Sequence, residues 1–243
     1  MTMPAPEPIA SSYPSPAILA LDLETVQEAR ALVAALGDTA GFYKVGLELY
    51  ASAGMEFVRE LKQQGHRVFL DLKLYDIGET VKRAVAQVTR AGVDFLTVHG
   101  SQAVMQAAVA GKGEAPLTLL AVTVLTSFDE SDLKQLGYPC SVSDLVQLRV
   151  RNAMEAGIGG IVCSPMEVSG VRAITGPLAV LVTPGVRSAG ASVGDQKRVA
   201  TPAEAIAAGA DYLVIGRQVT RAADPRAEML RILEEVRGAG RPD

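Results

Sequence analysis

The chain has 243 residues, of which 49% are hydrophobic and 21% are charged, and its formal net charge is −4. This length and apolar content suit one large α/β domain. The acidic balance argues against a nucleic-acid-binding protein, which is usually basic, and no apolar run is long enough to span a bilayer.

The N-terminal residues 1–16 contain five prolines and lack the basic and apolar regions of a secretory signal. We therefore expect a flexible Pro-rich leader at 1–16 and a single catalytic domain at 17–243. The two cysteines are Cys140 and Cys163, and Cys163 ends an apolar run typical of a buried strand. Reduced thiols and the lack of an export signal predict a cytoplasmic protein.

Eight short apolar runs predict β-strands, at 17–22, 43–47, 68–73, 95–98, 117–125, 158–163, 178–182 and 212–215. Segments with helical periodicity or capping residues follow them, at 25–36, 55–64, 79–90, 102–110, 144–156, 165–173, 202–208 and 225–237. A loop with a short turn is predicted at 129–137. The strict alternation of apolar strands with helices predicts parallel strands closed into a (β/α)8 TIM barrel.

The segment 68–80 reads V-F-L-D-L-K-L-Y-D-I-G-E-T and is the central feature of the chain. Because side chains alternate between the two faces of a strand, Phe69, Asp71 and Lys73 are expected to share one face. Opposite charges at the end of an apolar strand are costly to bury unless they pair or serve a function. We therefore predict that Asp71 and Lys73 belong to a functional site.

Other polar residues also fall at or near the ends of predicted strands, where the active sites of such barrels lie. They are Asp22, Lys44, Thr126, Thr183 and Arg217, and Pro184 and Gly216 adjoin the last two of these. Lys44 lies within the second strand, on the face away from its apolar neighbours. Since barrel interiors are normally filled with branched aliphatic side chains, this convergence of charges favours an active site over a structural ion-pair network.

Two late loops have the composition of a phosphate site. A basic, glycine-containing loop after the seventh strand carries Arg187 and Gln196, and Gly216-Arg217 follows the eighth strand. Barrel enzymes often bind phosphate between these two loops, and a guanidinium suits bidentate contact with it. A solvated surface loop is the alternative for the first segment alone, and its pairing with Gly216-Arg217 favours the phosphate site.

The chain resembles the orotidine 5'-monophosphate decarboxylase family, whose signature D-x-K-x-x-D-I stands here as Asp71, Lys73, Asp76 and Ile77. Other motifs of the family extend over the whole predicted barrel: L-D at 21–22, K-V-G at 44–46, V-T-V-L-T-S at 122–127, T-P-G-V-R at 183–187, G-D-Q at 194–196 and V-I-G-R at 214–217. The resemblance implies decarboxylation of orotidine 5'-monophosphate to uridine 5'-monophosphate (UMP) and CO2, the last step of UMP biosynthesis. It also implies that neither a metal nor an organic cofactor is used.

The resemblance further implies substrate-binding roles for individual residues. The ribose hydroxyls would contact Asp22 and Lys44, and Thr126 would lie near the pyrimidine. Pro184 is also assigned to substrate binding. The phosphate ligands would be Arg187, Gln196, Gly216 and Arg217.

Catalysis, by the same resemblance, would use Lys73 as proton donor within a charge network that includes Lys44, Asp71 and Asp76. Asp71 would lie near the substrate carboxylate. The family is homodimeric, and Asp76, Ile77 and Thr80 would reach into the partner's site. Gly78 and Glu79 stand where many members have Pro and Asn, a departure that loosens the turn and bears on the interface.

Two alternatives remain at the level of sequence. A sugar-phosphate decarboxylase or hexulose-phosphate synthase of the same superfamily shares the central motif, but metal-dependent members are expected to have a carboxylate where Lys44 stands. A lysine there repels a cation. A non-catalytic nucleotide-phosphate-binding barrel is the alternative of another class, and the intact set Asp71, Lys73 and Asp76 argues against it.

Overall fold

The computed structural model describes residues 15–189 and 200–238. Within these ranges, eight parallel strands form a closed barrel in which each strand pairs with the next and the last pairs with the first. The strands are β1 (Ala17–Ala20), β2 (Phe42–Gly46), β3 (Arg67–Leu74), β4 (Phe95–His99), β5 (Thr118–Val122), β6 (Gly160–Val162), β7 (Val180–Thr183) and β8 (Tyr212–Ile215). The predicted (β/α)8 barrel is therefore confirmed, whereas the predicted leader lies outside the described residues except for residues 15 and 16.

Helices follow the strands around the outside of the barrel. In the described ranges they are α1 (Val26–Leu36), α2 (Leu47–Gln63), α3 (Gly78–Arg90), α4 (Gln102–Lys112), α5 (Glu130–Gln135), α6 (Val142–Glu155), α7 (Val168–Thr175), α8 (Pro202–Ala207), α9 (Arg217–Thr220) and α10 (Pro225–Arg237). Among the residues that the structure describes, no helix combines the length and the apolarity needed to cross a membrane.

Alternation along the strands separates two apolar layers. Tyr43 and Val45 belong to the layer between strands and helices, whereas Phe42 belongs to a smaller cluster inside the barrel. The members of this inner cluster are Ile18, Ala20, Phe42, Phe69, Phe95, Leu120, Val182 and Val214. Lys44 is two residues after Phe42 and therefore also points into the barrel, as its position in the sequence predicts.

Arg67 closes the N-terminal end of the barrel. Its guanidinium lies 4.1 Å from the centroid of the Phe42 ring, and the Phe95 and Tyr212 rings lie within 5.4 Å of it. These residues begin four of the strands, so the stacked group fills the lower end of the barrel. The opening available to a ligand is therefore at the C-terminal end.

Several predicted boundaries are wrong. Helix α2 begins at Leu47 rather than at 55 and is kinked at Gly54, where φ is +59°; its first turns expose Leu47 and lack a strong apolar periodicity. Strand β5 ends at Val122 rather than at 125, and the carbonyl of the next residue, Thr123, accepts a hydrogen bond from Arg149 instead of joining the sheet. The helix predicted at 165–173 divides into a 3-10 turn and α7.

Candidate active site

A cavity of about 440 Å³ lies at the C-terminal end of the barrel. Its lining includes nine of the residues that the sequence predicts for the site: Asp22, Lys44, Asp71, Lys73, Thr126, Pro184, Arg187, Gly216 and Arg217. They come from both halves of the chain, and the closed barrel brings them together. The predicted phosphate ligand Gln196 lies outside the described residues.

Four charged side chains form an alternating array in this cavity. Lys44 Nζ lies 2.8 Å from Asp22 Oδ1 and 3.7 Å from Asp71 Oδ2. Lys73 Nζ lies 2.8 Å from Asp71 Oδ1. Each ammonium group therefore has a carboxylate neighbour, and Asp71 lies between the two lysines.

Thr97 completes the surroundings of Asp71. Its hydroxyl donates to Asp71 Oδ1 at 2.9 Å and accepts a hydrogen bond from the Lys73 backbone N–H at 2.9 Å. Thr97 is fully buried in β4. Sequence reasoning missed this residue, although it stands two positions after Phe95 and so on the inner face of its strand.

The charge state of Asp71 follows from these neighbours. Its side chain is only 14% exposed, and burial by itself would raise the pKa of the carboxyl. The ammonium groups of Lys44 and Lys73, together with the hydrogen bonds from Lys73 and Thr97, outweigh burial and hold the pKa below its ordinary value. Asp71 is therefore a fixed negative charge at neutral pH.

Lys73 has a left-handed backbone conformation, with φ at +48°. It is the one non-glycine residue with positive φ in the described ranges. The pairing between β3 and β4 shifts register between Leu70 and Leu74, which brackets this residue. Such strain is held in place by surrounding structure and clusters at functional sites. Phe69, Asp71 and Lys73 line the cavity as the alternation predicts, but the register shift was not predicted.

Gly46 makes room for the Lys44–Asp22 pair. A Cβ atom at position 46 would lie 3.0 Å from Lys44 Nζ and 3.2 Å from Asp22 Oδ1. Lys44 is 8% exposed and has little space into which to move. A side chain at 46 would therefore disturb the ion pair.

Arginines line another part of the same cavity. Arg187 follows β7, and its backbone N–H donates to the Ala200 carbonyl at 3.0 Å. Arg217 begins α9 directly after Gly216. Arg221, which sequence reasoning missed, also lines the cavity. It follows directly after α9, a short helix that was not predicted.

The rest of the lining is largely apolar. It includes Phe69, Val122, Val124, Leu125, Val162, Cys163 and Val214. Cys163 is buried, as predicted, and neither Cys163 nor Cys140 forms a disulfide. Within the described ranges, no group of three or more His, Cys, Asp or Glu side chains is placed to hold a metal ion.

Asp76, Ile77 and Thr80 do not line the cavity of their own chain. All three are exposed on the turn and first helical residues after β3. Asp76 Oδ1 accepts a hydrogen bond from the Ile77 N–H at 2.6 Å, and Ile77 is 77% exposed. These three residues are therefore accessible at the surface of a single chain.

The fold and the cavity define a (β/α)8-barrel enzyme whose site joins an Asp–Lys array to arginine side chains. A family model described as "Orotidine 5'-phosphate decarboxylase / HUMPS family" matches residues 15–232. The chain belongs to this family.

Named relatives cover most of the chain. An orotidine 5'-phosphate decarboxylase of Rhodopseudomonas palustris (strain BisA53) is 54% identical over 222 residues, which are 91% of this chain and 94% of the relative. One of Caulobacter sp. (strain K31) is 52% identical over 221 residues, covering 91% and 96%. The crystal structure of orotidine 5'-phosphate decarboxylase from Lactobacillus acidophilus has a TM-score of 0.79 at 33% identity, over 91% of this chain and 99% of that chain.

Proposed function

We propose that this protein decarboxylates orotidine 5'-monophosphate to UMP and CO2, without a metal or an organic cofactor, and that Lys73 is the proton donor. The observation that carries the proposal is the array in which Lys73 Nζ lies 2.8 Å from the largely buried carboxylate of Asp71. The names of relatives that are more than 50% identical over about nine-tenths of the chain support the same reaction.

Substrate binding divides between the two parts of the cavity. The phosphate binds to Arg187 and Arg217 and to the backbone at Gly216, with Gln196 as a further ligand. Guanidinium groups suit this role because they present paired donors to phosphate oxygens. At the other end, the ribose hydroxyls contact Asp22 and Lys44.

The nucleobase then lies between these ends. Thr126 and Pro184 lie beside the pyrimidine, among the apolar residues that line the cavity. This placement brings C6 of the pyrimidine, which carries the carboxylate, toward Asp71 and Lys73.

The chemical step breaks the bond between C6 and the carboxyl carbon. CO2 leaves without the bonding electrons, which stay on C6 as a carbanion. The Lys73 ammonium stabilises this negative charge and then transfers its proton to C6, so that UMP and a neutral lysine result. A proton from solvent restores the ammonium.

Asp71 contributes by repulsion. Two like charges about 4 Å apart cost roughly 4 kcal/mol at an effective dielectric of about 20. This cost is relieved as CO2 departs, and phosphate contacts remote from C6 supply the binding energy that offsets it. The neighbouring lysines keep Asp71 ionised, and so maintain the repulsion.

The active form is a homodimer in the cytoplasm. Asp76, Ile77 and Thr80 of each chain reach into the partner's site, which accounts for their exposure in a single chain. Asp76 then extends the charge array across the interface. Cys140 and Cys163 form no disulfide, which suits a reducing compartment.

The test is to add orotidine 5'-monophosphate to the purified protein and to follow the pyrimidine absorbance, with and without EDTA. Turnover that EDTA leaves unchanged is expected. Activity only on a sugar phosphate, or activity lost with EDTA, would instead support the hexulose-phosphate synthase branch of the family. UMP binding without turnover would support a non-catalytic nucleotide-binding barrel.

A further inference from the structure

A hydrogen-bonded network lies behind the arginine part of the cavity. Ser188 follows Arg187 directly and is 4% exposed. Its hydroxyl donates to Glu235 Oε2 in α10 at 2.6 Å. The chain after β7 is therefore tied to the last helix at the residue that follows a cavity arginine.

Gln218 provides a second connection, next to the other arginine. It follows Arg217, and its Oε1 accepts a hydrogen bond from the Ser188 backbone N–H at 3.1 Å. Its Nε2 donates to Glu228 Oε1 at 2.8 Å. One side chain thus joins the segment after β7, the segment after β8 and helix α10.

Both carboxylate acceptors of this network, Glu228 and Glu235, belong to helix α10. Arg231 of the same helix lies between them, 2.7 Å from Glu228 Oε1 and 3.7 Å from Glu235 Oε2. The hydrogen bond from Arg231 is the main cause that lowers the pKa of Glu228. The other side of the segment is fixed by the Val186–Ala200 bridge.

We propose that Ser188, Gln218 and Glu235 are positioning residues that set the spacing of Arg187 and Arg217 and thereby determine how strongly the site prefers a phosphorylated ligand. Each arginine is covalently adjacent to a member of the network, so a shift of Ser188 relative to Gln218 changes the separation of the two guanidinium groups. This inference rests on the proposed phosphate role of Arg187 and Arg217.

The experiment compares UMP with uridine, which lacks the phosphate, by calorimetric titration of the full chain. Ser188→Ala and Glu235→Ala are expected to weaken UMP binding roughly tenfold, the size of one hydrogen bond to a charged group. The affinity of these variants for uridine should not change. In the decarboxylation assay, their KM for orotidine 5'-monophosphate should rise by a larger factor than their kcat falls. Glu235→Gln should retain the preference for UMP, because its amide oxygen still accepts the Ser188 hydroxyl.

Glu234→Ala is the matched control. It removes an exposed carboxylate from the neighbouring position of the same helix, so it should leave both affinities unchanged. Thermal unfolding of each variant shows whether it is folded. Gln218→Leu tests the same network through its other connection if the Ser188 variant does not fold.

Two failures can be told apart with Arg217→Ala. If this variant keeps the wild-type preference for UMP over uridine, the proposed phosphate site is wrong. If it loses the preference while folded variants of Ser188, Gln218 and Glu235 keep it, the phosphate site stands and the positioning role is wrong. Equal weakening of UMP and uridine in those variants would also overturn the proposal, since it indicates a general structural effect.

Discussion

Replacing Lys73 with alanine tests the central chemical claim. A positioned proton donor contributes about 10²- to 10⁴-fold in rate, and a fixed charge at a developing anion about 10²- to 10³-fold. Lys73 serves both purposes in the proposed mechanism, so kcat should fall by at least about 10⁴-fold, or roughly 5 kcal/mol in activation free energy. The absorbance assay with orotidine 5'-monophosphate measures this loss.

UMP binding should survive the same substitution. The Lys73 side chain is 36% exposed, and Asp71 keeps Lys44 at 3.7 Å and the Thr97 hydroxyl at 2.9 Å. The cavity should therefore keep its shape, and the Kd of UMP should change by no more than about threefold, a difference well under 1 kcal/mol.

Lys62→Ala is the matched control for Lys73→Ala. It also removes a lysine that pairs with an aspartate, Asp94, at 2.6 Å, but away from the cavity lining. Its kcat should equal that of the wild type. A Lys73→Ala enzyme that keeps more than about one hundredth of the wild-type kcat, the least loss expected of a proton donor, would refute the assigned role.

Three further predictions concern the cavity and the barrel. Gly46→Ala should raise KM roughly tenfold by displacing Lys44, which is the effect expected from the loss of one charged hydrogen bond. The control Gly170→Ala, which has no atom within 4 Å of the added Cβ, should leave KM unchanged. An unchanged KM in Gly46→Ala would mean that the ion pair can move. Arg67→Leu should lower the free energy of unfolding in urea by about 1–2 kcal/mol through lost cation–π contacts, with kcat unchanged; no loss of stability would show that the stacking contributes little. Because folding lowers the pKa of Asp71, its carboxylate contributes stability that is complete above the pKa of the unfolded state and is lost as the pH falls through the pKa of the folded state. The difference in unfolding free energy between wild type and Asp71→Asn should therefore shrink below about pH 4. A difference that stays constant with pH would contradict this linkage.

Sequence patterns were sufficient where the direction of a side chain depends only on the alternation along its own strand. Lys44 and Asp71 point into the barrel because they alternate with Tyr43, Val45 and Leu70, which are buried on the outer side. The alternation of strands and helices likewise predicted the closed barrel. These predictions rest on local periodicity, which the fold preserves.

Sequence patterns failed where two distant segments meet. Thr97 looks like an ordinary β-branched strand residue until β4 is placed beside β3, where its hydroxyl meets Asp71. Arg221 lines the cavity directly after α9, a helix of only four residues. A helix this short has too few residues for an apolar periodicity to be detected.

The backbone conformation of Lys73 is another feature that the sequence did not predict, and it bears on the mechanism. A left-handed conformation costs a non-glycine residue roughly 1–2 kcal/mol, and nothing in the local sequence predicts it. The fold stabilises it through the hydrogen bond from the Lys73 N–H to Thr97, the same hydroxyl that binds Asp71. This arrangement holds the ammonium and the carboxylate 2.8 Å apart. In the proposed mechanism, charges held in this way need little reorganisation during the reaction, and this is the condition under which electrostatic stabilisation of a carbanion is most effective.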